Sequence, residues 1–309
     1  MHGTQSTSVA KKVVSIVGVG NMGGGIVTNL LALGYRVYVH DVDNAKCHLY
    51  KKKGAFFDVD IGKYAITNIV SIVCVVDAEQ TQDVLFGANG IASKAPAGHT
   101  VMLCPTIAPQ DVERFAHQLQ ECGLHTIDAP MSGGPARAAD GSMSLMVACD
   151  DAVYAQHAAL INDLSSKVFR ISQRPGDGAR TKLINNLLAA INLVGTAEAL
   201  ANAKRLGLNQ QTTLNVIAQS SGQSWIGSDR MQRALQTDSA TAVAPLAHMT
   251  LLAKDTALAL LAAQEDGYPY NGPLGAKVSQ VFSQALAAGL GSHDDSALLD
   301  WLQTTVARN

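Results

Sequence analysis

Three groups of residues in this chain have types and spacing that chemistry could use, and the first is the most explicit. In VVSIVGVGNMGGGIVTNLLALG, Val13–Gly34, a β-branched segment runs into Gly18, Gly20 and Gly23 at G-x-G-x-x-G spacing. A second segment, YRVYVHD, closes on Asp41 about 20 residues further on, which is the sequence form of a dinucleotide site. Gly18 permits the tight strand-to-helix turn, Gly20 lets the backbone approach a pyrophosphate, and Gly23 lets the helix pack closely on the strand. The helix that opens on Asn21 and Met22 points its unpaired N–H groups and positive dipole end at the phosphates. Asp41 would accept hydrogen bonds from both hydroxyls of an adenosine ribose and repel a 2′-phosphate, so NAD is expected over NADP. Val42 and Asp43 stand where a phosphate-binding Arg would be useful. A glycine turn serving packing alone would need neither the preceding strand nor the terminal acid.

The second group is DAPMSGG, Asp128–Gly134. A strand ends at Asp128, Pro130 stops it, and Ser132, Gly133 and Gly134 offer a hydroxyl and sterically free N–H groups that can bind a carboxylate, unless the segment is an ordinary turn. The third is GDGARTKLINN, Gly176–Asn186, where Lys182 and Asn186 are four apart and so share one face of a helix, with Asn185 beside them. An isolated Lys is by default a solvated surface residue, yet a Lys and an Asn together near the start of an apolar helix are not needed for packing. Two weaker signals accompany these. Lys254-Asp255 interrupts the apolar run LLAKDTALALL, as an internal ion pair, an exposed stripe or a site residue, and Thr106 lies in LCPTIAP after a strand, where doubly wound folds bind ligands.

The elements that must position these residues follow from the hydrophobic pattern. From Val13 to about Arg174 strand-like pieces (VVSIVGV, RVYVHD, NIVSIVCVV, HTVMLC, LHTIDAP, SMSLMVA) alternate with helical or turn-rich text. Such alternation predicts an α/β domain, a Rossmann-type, doubly wound, mostly parallel sheet. After Pro175 the character changes: Thr181–Leu206 reads as one long apolar helix, and helical segments without a convincing strand continue to Thr305. The predicted organisation is a disordered tail over 1–10, an NAD-binding domain over 11–175 and an all-α C-terminal domain over 176–309. The last is expected to contribute to the substrate cleft and to carry the oligomerisation surface of a homodimer or homotetramer.

Composition bounds the remaining possibilities. The chain has 309 residues, 47% of them hydrophobic, and a net charge of −2, which gives no electrostatic case for nucleic acid or membrane partners. Cys47, Cys74, Cys104, Cys122 and Cys149 are scattered and never form a CxxC pair, so they read as reduced, mostly buried thiols of a cytoplasmic protein, with no metal site. Met1–Ala10 is polar and lacks the apolar region of a signal peptide. The apolar stretches are broken by polar residues before reaching the roughly 20 residues of a membrane helix, so none is expected.

Taken together, the segments GVGNMGGGIVTNLLALGY, DAPMSGGPARAADGSMSLM, GDGARTKLINNLL and KDTALAL resemble the β-hydroxyacid dehydrogenase family, in order and spacing over nearly the whole chain. Within it the sequence is most similar to the L-threonate dehydrogenase group, through SGGPARAADGSMSLM, SSGQSWIGSDRM at Ser220–Met231 and DDSALLDWL at Asp294–Leu302. The resemblance implies oxidation of the 2-hydroxyl of a four-carbon sugar acid by NAD, giving a 2-oxo acid. It also implies that Lys182 is the acid/base, that Ser132, Gly133 and Gly134 hold the substrate carboxylate, and that Asn186 orients substrate or Lys182. Thr106 and Lys254 fall on the cofactor side, with the loop at Val75 and Val76. The family usually has Leu-Pro where Val75-Val76 stand and Ser-Ser-Thr where Cys104-Pro105-Thr106 stand, so those two loops depart from it.

Hydride transfer from an alcohol carbon needs a base for the hydroxyl proton. A free lysine, pKa about 10.4, is charged at neutral pH, so Lys182 must fall to around 7–8 through burial in LINNLLAA or a neighbouring positive charge. Two alternatives share the fold. One is a dehydrogenase or reductase for 3-hydroxyisobutyrate or a tartronate semialdehyde-type substrate, with the same lysine. The other is a non-catalytic NAD-binding sensor, which would need only the glycine loop and Asp41. Imine reductases usually lack the lysine, and phosphogluconate dehydrogenases carry a much longer C-terminal domain.

Overall fold

The computed structural model describes residues 12–57, 70–236, 245, 247–264 and 272–305. The predicted tail over 1–10 and the start of the segment NIVSIVCVV lie outside them. The strands are β1 (Val13–Val17), β2 (Arg36–His40), β3 (Phe56–Phe57), β4 (Val70–Val73), β5 (Thr100–Leu103), β6 (His125–Asp128), β7 (Met131–Ser132), β8 (Ser144–Ala148) and β9 (Lys167–Ser172). The helices are α1 (Asn21–Ala32), α2 (Asn44–Lys52), α3 (Ala78–Phe86), α4 (Pro109–Glu121), α5 (Gly134–Ala139), α6 (Asp151–Leu164) and α7 (Asp177–Arg205). They continue with α8 (Gln210–Ala218), α9 (Trp225–Gln236), α10 (Met249–Ala262), α11 (Pro273–Ala287) and α12 (Leu298–Thr305).

The strands form one sheet in the order β3-β2-β1-β4-β5-β6-β8-β7, with β9 on β8. β1 to β6 run parallel, β8 is antiparallel to β6 and β7, and β9 is parallel to β8. Strands covered on both faces read as unbroken apolar runs, and all four residues of β4 and of β5 are buried. The sequence reading omitted three strands. β3 and β7 are two residues each, and the burial of KVFRIS in β9 alternates between exposed and intermediate, as on a sheet margin.

Helix starts in this sheet domain follow side-chain chemistry. α2, α3 and α6 begin behind Asp43, Asp77 and Asp150, whose carboxylates accept N–H groups of Ala45, Gln80 and Ala152 at 2.9, 2.9 and 2.8 Å. α4 starts on Pro109 and buries Val112, Phe115 and Leu119 as one stripe. α1 has Gly20 at its N-cap and no side-chain cap.

The chain divides into two compact units, 1–182 and 183–309. The division falls within α7, which is continuous from Asp177 to Arg205. In the second unit the described residues contain helices and an isolated bridge between His248 and Asp294. Its core gathers Leu193, Leu200, Leu214, Met231, Phe282 and Leu298.

The expectation about membrane helices needs a correction. α7 is long and apolar enough to cross a membrane by length and composition, since its charges lie toward its ends and leave an apolar stretch between them. The same composition serves a core helix: Ala190, Leu193, Ala197 and Leu200, at helical spacing, are fully buried in the second unit.

Candidate active site

Because β1, β2, β4, β5 and β6 are parallel, their carboxyl ends share one edge. The ladder runs one step past the strands, with N–H donors at Gly18 to His40 (2.8 Å), Cys74 to Val17 (2.7 Å), Cys104 to Val73 (2.9 Å) and Ala129 to Leu103 (2.8 Å). That edge gathers the glycine loop, Asp41, Val75, Val76 and Thr106. From β1 the chain goes outward to β2 and β3, then returns to β4 on the other side of β1, and such a reversal is where open α/β sheets bind ligands.

The glycine loop has the shape its spacing predicts. Gly18 is left-handed at φ +89°, and a Cβ at Gly23 would lie 1.9 Å from the Gly18 carbonyl oxygen, so turn and helix touch through their backbones. A Cβ at Gly20 would meet nothing within 4 Å. The protein itself therefore gives no steric reason for glycine there, whereas a ligand against the backbone does. Asn21 and Met22 fill the first helical positions, and the N–H groups of this uncapped turn suit a pyrophosphate. A hollow of about 400 Å³ runs beside it, lined by Gly20, Asn21, Gly24, Lys46, Tyr50 and Pro135.

Asp41, 9% exposed, is held by two backbone donors: Val19 N–H to Oδ2 and Asp43 N–H to Oδ1, each 2.9 Å. Each oxygen keeps a further lone pair for a ribose hydroxyl. Val42 is almost fully exposed, and the Lys46 ammonium lies 3.9 Å from Oδ1. The sequence reading missed Lys46, since a lysine on the first turns of a polar helix looks like any surface charge. Val75 is partly buried beside the turn, its N–H 3.0 Å from where a Gly18 Cβ would lie, and Val76, half-exposed, donates to Gln80 at 3.2 Å. Thr106 is partly exposed in the loop between β5 and α4.

Ser132 closes β7, paired with Ser144 of β8, so the expected turn is narrower than the motif and consists of Gly133 and Gly134 at φ +129° and +82°. Lys182 lies in the second turn of α7. It is 7% exposed, on the same stripe as Ala179 and Leu183. The solvated-surface alternative for this lysine is thus excluded. Between β6 and the start of α7 stands Asp128, 1% exposed, which accepts the N–H of Gly176 at 2.8 Å and of Ala179 at 3.2 Å. Burial pushes its carboxyl up to about 7, against the pull of the N–H groups of Ala179, Gly176 and Gly178. The neighbouring Cys74 thiol and burial push the Cys104 thiol well up, so Cys104 is a protonated thiol and not a nucleophile.

The remaining predicted residues lie in the second unit. Asn185 donates to Asn186 Oδ1 at 3.1 Å, Asn186 donates to Asp255 Oδ2 at 2.6 Å, and Lys254 pairs with Asp255 Oδ1 at 3.1 Å. The charged pair inside α10 is therefore an ion pair whose acid also fixes the Asn186 amide. The sequence pairs Asp255 with Lys254 but does not link it to Asn186, which is 69 residues away. SSGQSWIGSDRM and DDSALLDWL, which carried the finer resemblance, are tied to each other by Arg230, which meets Asp295 at 2.7 Å, and Arg233, two residues past the first segment, meets Asp294 at 2.7 Å.

Among the described residues no cluster of three His, Cys, Asp or Glu side chains could hold a metal ion. A larger hollow, about 570 Å³, lined among others by Glu113, His117, Asp150 and Arg174, contains none of the motif residues.

Comparison with known proteins agrees with this geometry. Residues 13–172 match the family model of the NAD binding domain of 6-phosphogluconate dehydrogenase, and residues 176–302 that described as NAD-binding of NADP-dependent 3-hydroxyisobutyrate dehydrogenase. L-threonate dehydrogenase of Cupriavidus necator is 33% identical over 286 residues, covering 93% of this chain and 94% of that protein. The crystal structure of a 3-hydroxyisobutyrate dehydrogenase from Salmonella typhimurium superposes with a TM-score of 0.85 at 31% identity, over 94% and 99% of the two chains. Psf3 in complex with NADP+ and 2-OPP gives 0.84 at 25% identity, over 94% and 99%. Fold and site define a nicotinamide-dinucleotide oxidoreductase with a Rossmann-type domain and a helical second unit. The chain belongs to the β-hydroxyacid dehydrogenase family.

Proposed function

We propose that the protein oxidises the 2-hydroxyl of a four-carbon sugar acid of the L-threonate type, with NAD as acceptor and Lys182 as acid/base. The observation that carries the reading is the buried lysine on the inner stripe of α7, in a domain whose glycine loop is open to a ligand. Ser132 and the N–H groups of Gly133 and Gly134 take the substrate carboxylate. Lys182 in its neutral form removes the hydroxyl proton as the C–H bond breaks, and in reverse its ammonium returns that proton to the alkoxide oxygen. The bound dinucleotide supplies the hydride acceptor. Asn186, its amide held by Asp255 and Asn185, presents its remaining N–H and lone pair in a fixed orientation toward substrate or Lys182. Thr106, Val75, Val76 and Lys254 serve the cofactor side.

Asp41 favours NAD, since its carboxylate repels a 2′-phosphate. Lys46 supports a second reading in which NADP is also accepted, more weakly, because its ammonium offsets part of that charge. The likeness to the Salmonella enzyme supports 3-hydroxyisobutyrate as the alternative substrate. Exposed Ile184 and Leu188 on α7 support a homodimer or homotetramer, and the bacterial relative supports a cytoplasmic location.

The test is formation of reduced cofactor with L-threonate, 3-hydroxyisobutyrate and related four-carbon acids. The expected order of kcat/KM puts L-threonate first, by about tenfold or more if an additional substrate hydroxyl is hydrogen-bonded in the site. A higher value on 3-hydroxyisobutyrate would overturn the substrate assignment, and no turnover on any hydroxy acid would overturn the reading as a whole.

A further inference from the structure

The proposed reaction leaves unused an acid at the carboxyl edge of the sheet. Asp128 is almost completely buried at the end of β6, and its Oδ2 accepts the N–H groups of Gly176 and Ala179 at 2.8 and 3.2 Å, with the Gly178 N–H donating to the same carboxylate. A helix leaves its first N–H groups without internal partners, and a serine or threonine cap satisfies one of them. Here a strand end supplies the cap for the 29-residue helix α7.

The fit is close enough to explain both glycines of GDG. A Cβ at Gly178 would lie 2.9 Å from Asp128 Oδ2 and 3.0 Å from Oδ1, and Gly176 takes φ +99°, which L side chains rarely adopt. Lys182 follows Gly178 by four residues and Ala179 by three, so it stands directly above them on the helix, and its side chain leans back toward that turn.

We propose that Asp128 is a positioning residue for Lys182: by clamping the first turn of α7 to the end of β6, it fixes the rotation and height of the lysine relative to the strand edge. The proposal rests on Lys182 being the acid/base. Asp128 touches neither substrate nor cofactor in this account. Its effect is geometric, and a displacement of about 1 Å at a reacting group costs on the order of 10²-fold in rate.

The test uses the full-length protein and reads kcat separately from NADH affinity. Asp128→Ala is expected to lower kcat by about 10²-fold with NADH binding unchanged, because the glycine loop does not depend on the clamp. Asp128→Asn, which keeps an oxygen facing the N–H groups, recovers most of the rate, and Gly178→Ala, whose methyl pushes on the carboxylate, loses it. In a Lys182→Ala background, adding Asp128→Ala leaves the residual rate unchanged, since a residue acting through the lysine has nothing left to act on. Parental kcat in NADH-binding Asp128→Ala protein overturns the proposal, as do two losses that multiply in the double variant. If Asp128→Ala does not fold, parental kcat in both Asp128→Asn and Gly178→Ala overturns it instead. Failure of the underlying reading looks different: Lys182→Ala alone would then keep turnover within about tenfold of the parent.

Discussion

Replacing Gly20 with alanine separates what the glycine loop does for the fold from what it does for a ligand. Gly20 has φ −67° and ψ −156°, backbone values open to any residue, and its added methyl would meet no protein atom within 4 Å. A glycine-to-alanine change at a compatible site narrows the unfolded ensemble and stabilises by about 0.4–1 kcal/mol, so the melting temperature should hold or rise slightly. A pyrophosphate drawn onto the α1 N-terminus would lie in the space the methyl takes. Losing one charge-assisted bond to a backbone N–H costs about 1.5–3 kcal/mol, or roughly 10- to 150-fold in the dissociation constant for NADH. Gly23→Ala is the contrasting control. Its methyl would lie 1.9 Å from the Gly18 carbonyl oxygen, a backbone clash that must shift α1, so it should lower stability strongly whether or not ligand is present. Calorimetry with NADH and a thermal melt of the two variants measure both effects. A Gly20→Ala protein of parental NADH affinity would falsify the placement of the pyrophosphate against this turn.

Three further outcomes can be measured. Lys182→Ala should reduce kcat by about 10²–10⁴-fold while NADH affinity stays at the parental value, and loss of NADH binding would mark the lysine as structural. Asp41→Ala together with Val42→Arg should shift the ratio of kcat/KM for NAD and NADP toward NADP by about tenfold or more, because it removes the acceptor of the ribose hydroxyls and adds a cation at an almost fully exposed position; an unchanged ratio contradicts the role of Asp41. Asp128 also makes stability depend on pH. Burial lifts its carboxyl to about 7 in the fold, above the unfolded value, so between the two the folded state holds a proton that the unfolded state has released. Its contribution is fully present below the unfolded pKa and is lost as pH rises through about 7, at roughly 1.4 kcal/mol per pH unit in that window. The melting temperature of the parent should therefore fall more steeply between pH 5 and pH 7, about two units, than that of Asp128→Asn, and parallel slopes would show that Asp128 does not titrate there.

Much of the molecule was legible because its signals are local. The glycine spacing, the β-branched strands and Asp41 each follow from backbone geometry within a few residues, and the doubly wound, mostly parallel sheet follows from the alternation of strand-like and helical text. The short strands β3 and β7 and the marginal β9 were not legible, since two residues have no period and a half-exposed strand has a blurred one. For α7 the sequence is apolar nearly all round, so periodicity cannot say which face is buried. Lys182, Asn186, Ala190, Leu193, Ala197 and Leu200 lie inside, while Ile184 and Leu188 lie outside.

The sequence by itself therefore determined the class of ligand and the elements that carry it, because a dinucleotide loop is a contiguous stretch whose requirements are steric and local. Only the tertiary structure decided the surroundings of the polar groups. Lys182 is buried and not solvated, Asp255 fixes Asn186 across 69 residues, Lys46 stands beside Asp41, and Asp128 caps a helix that starts 49 residues after it. Burial and charge pairing depend on which distant segments meet, and no local pattern encodes that.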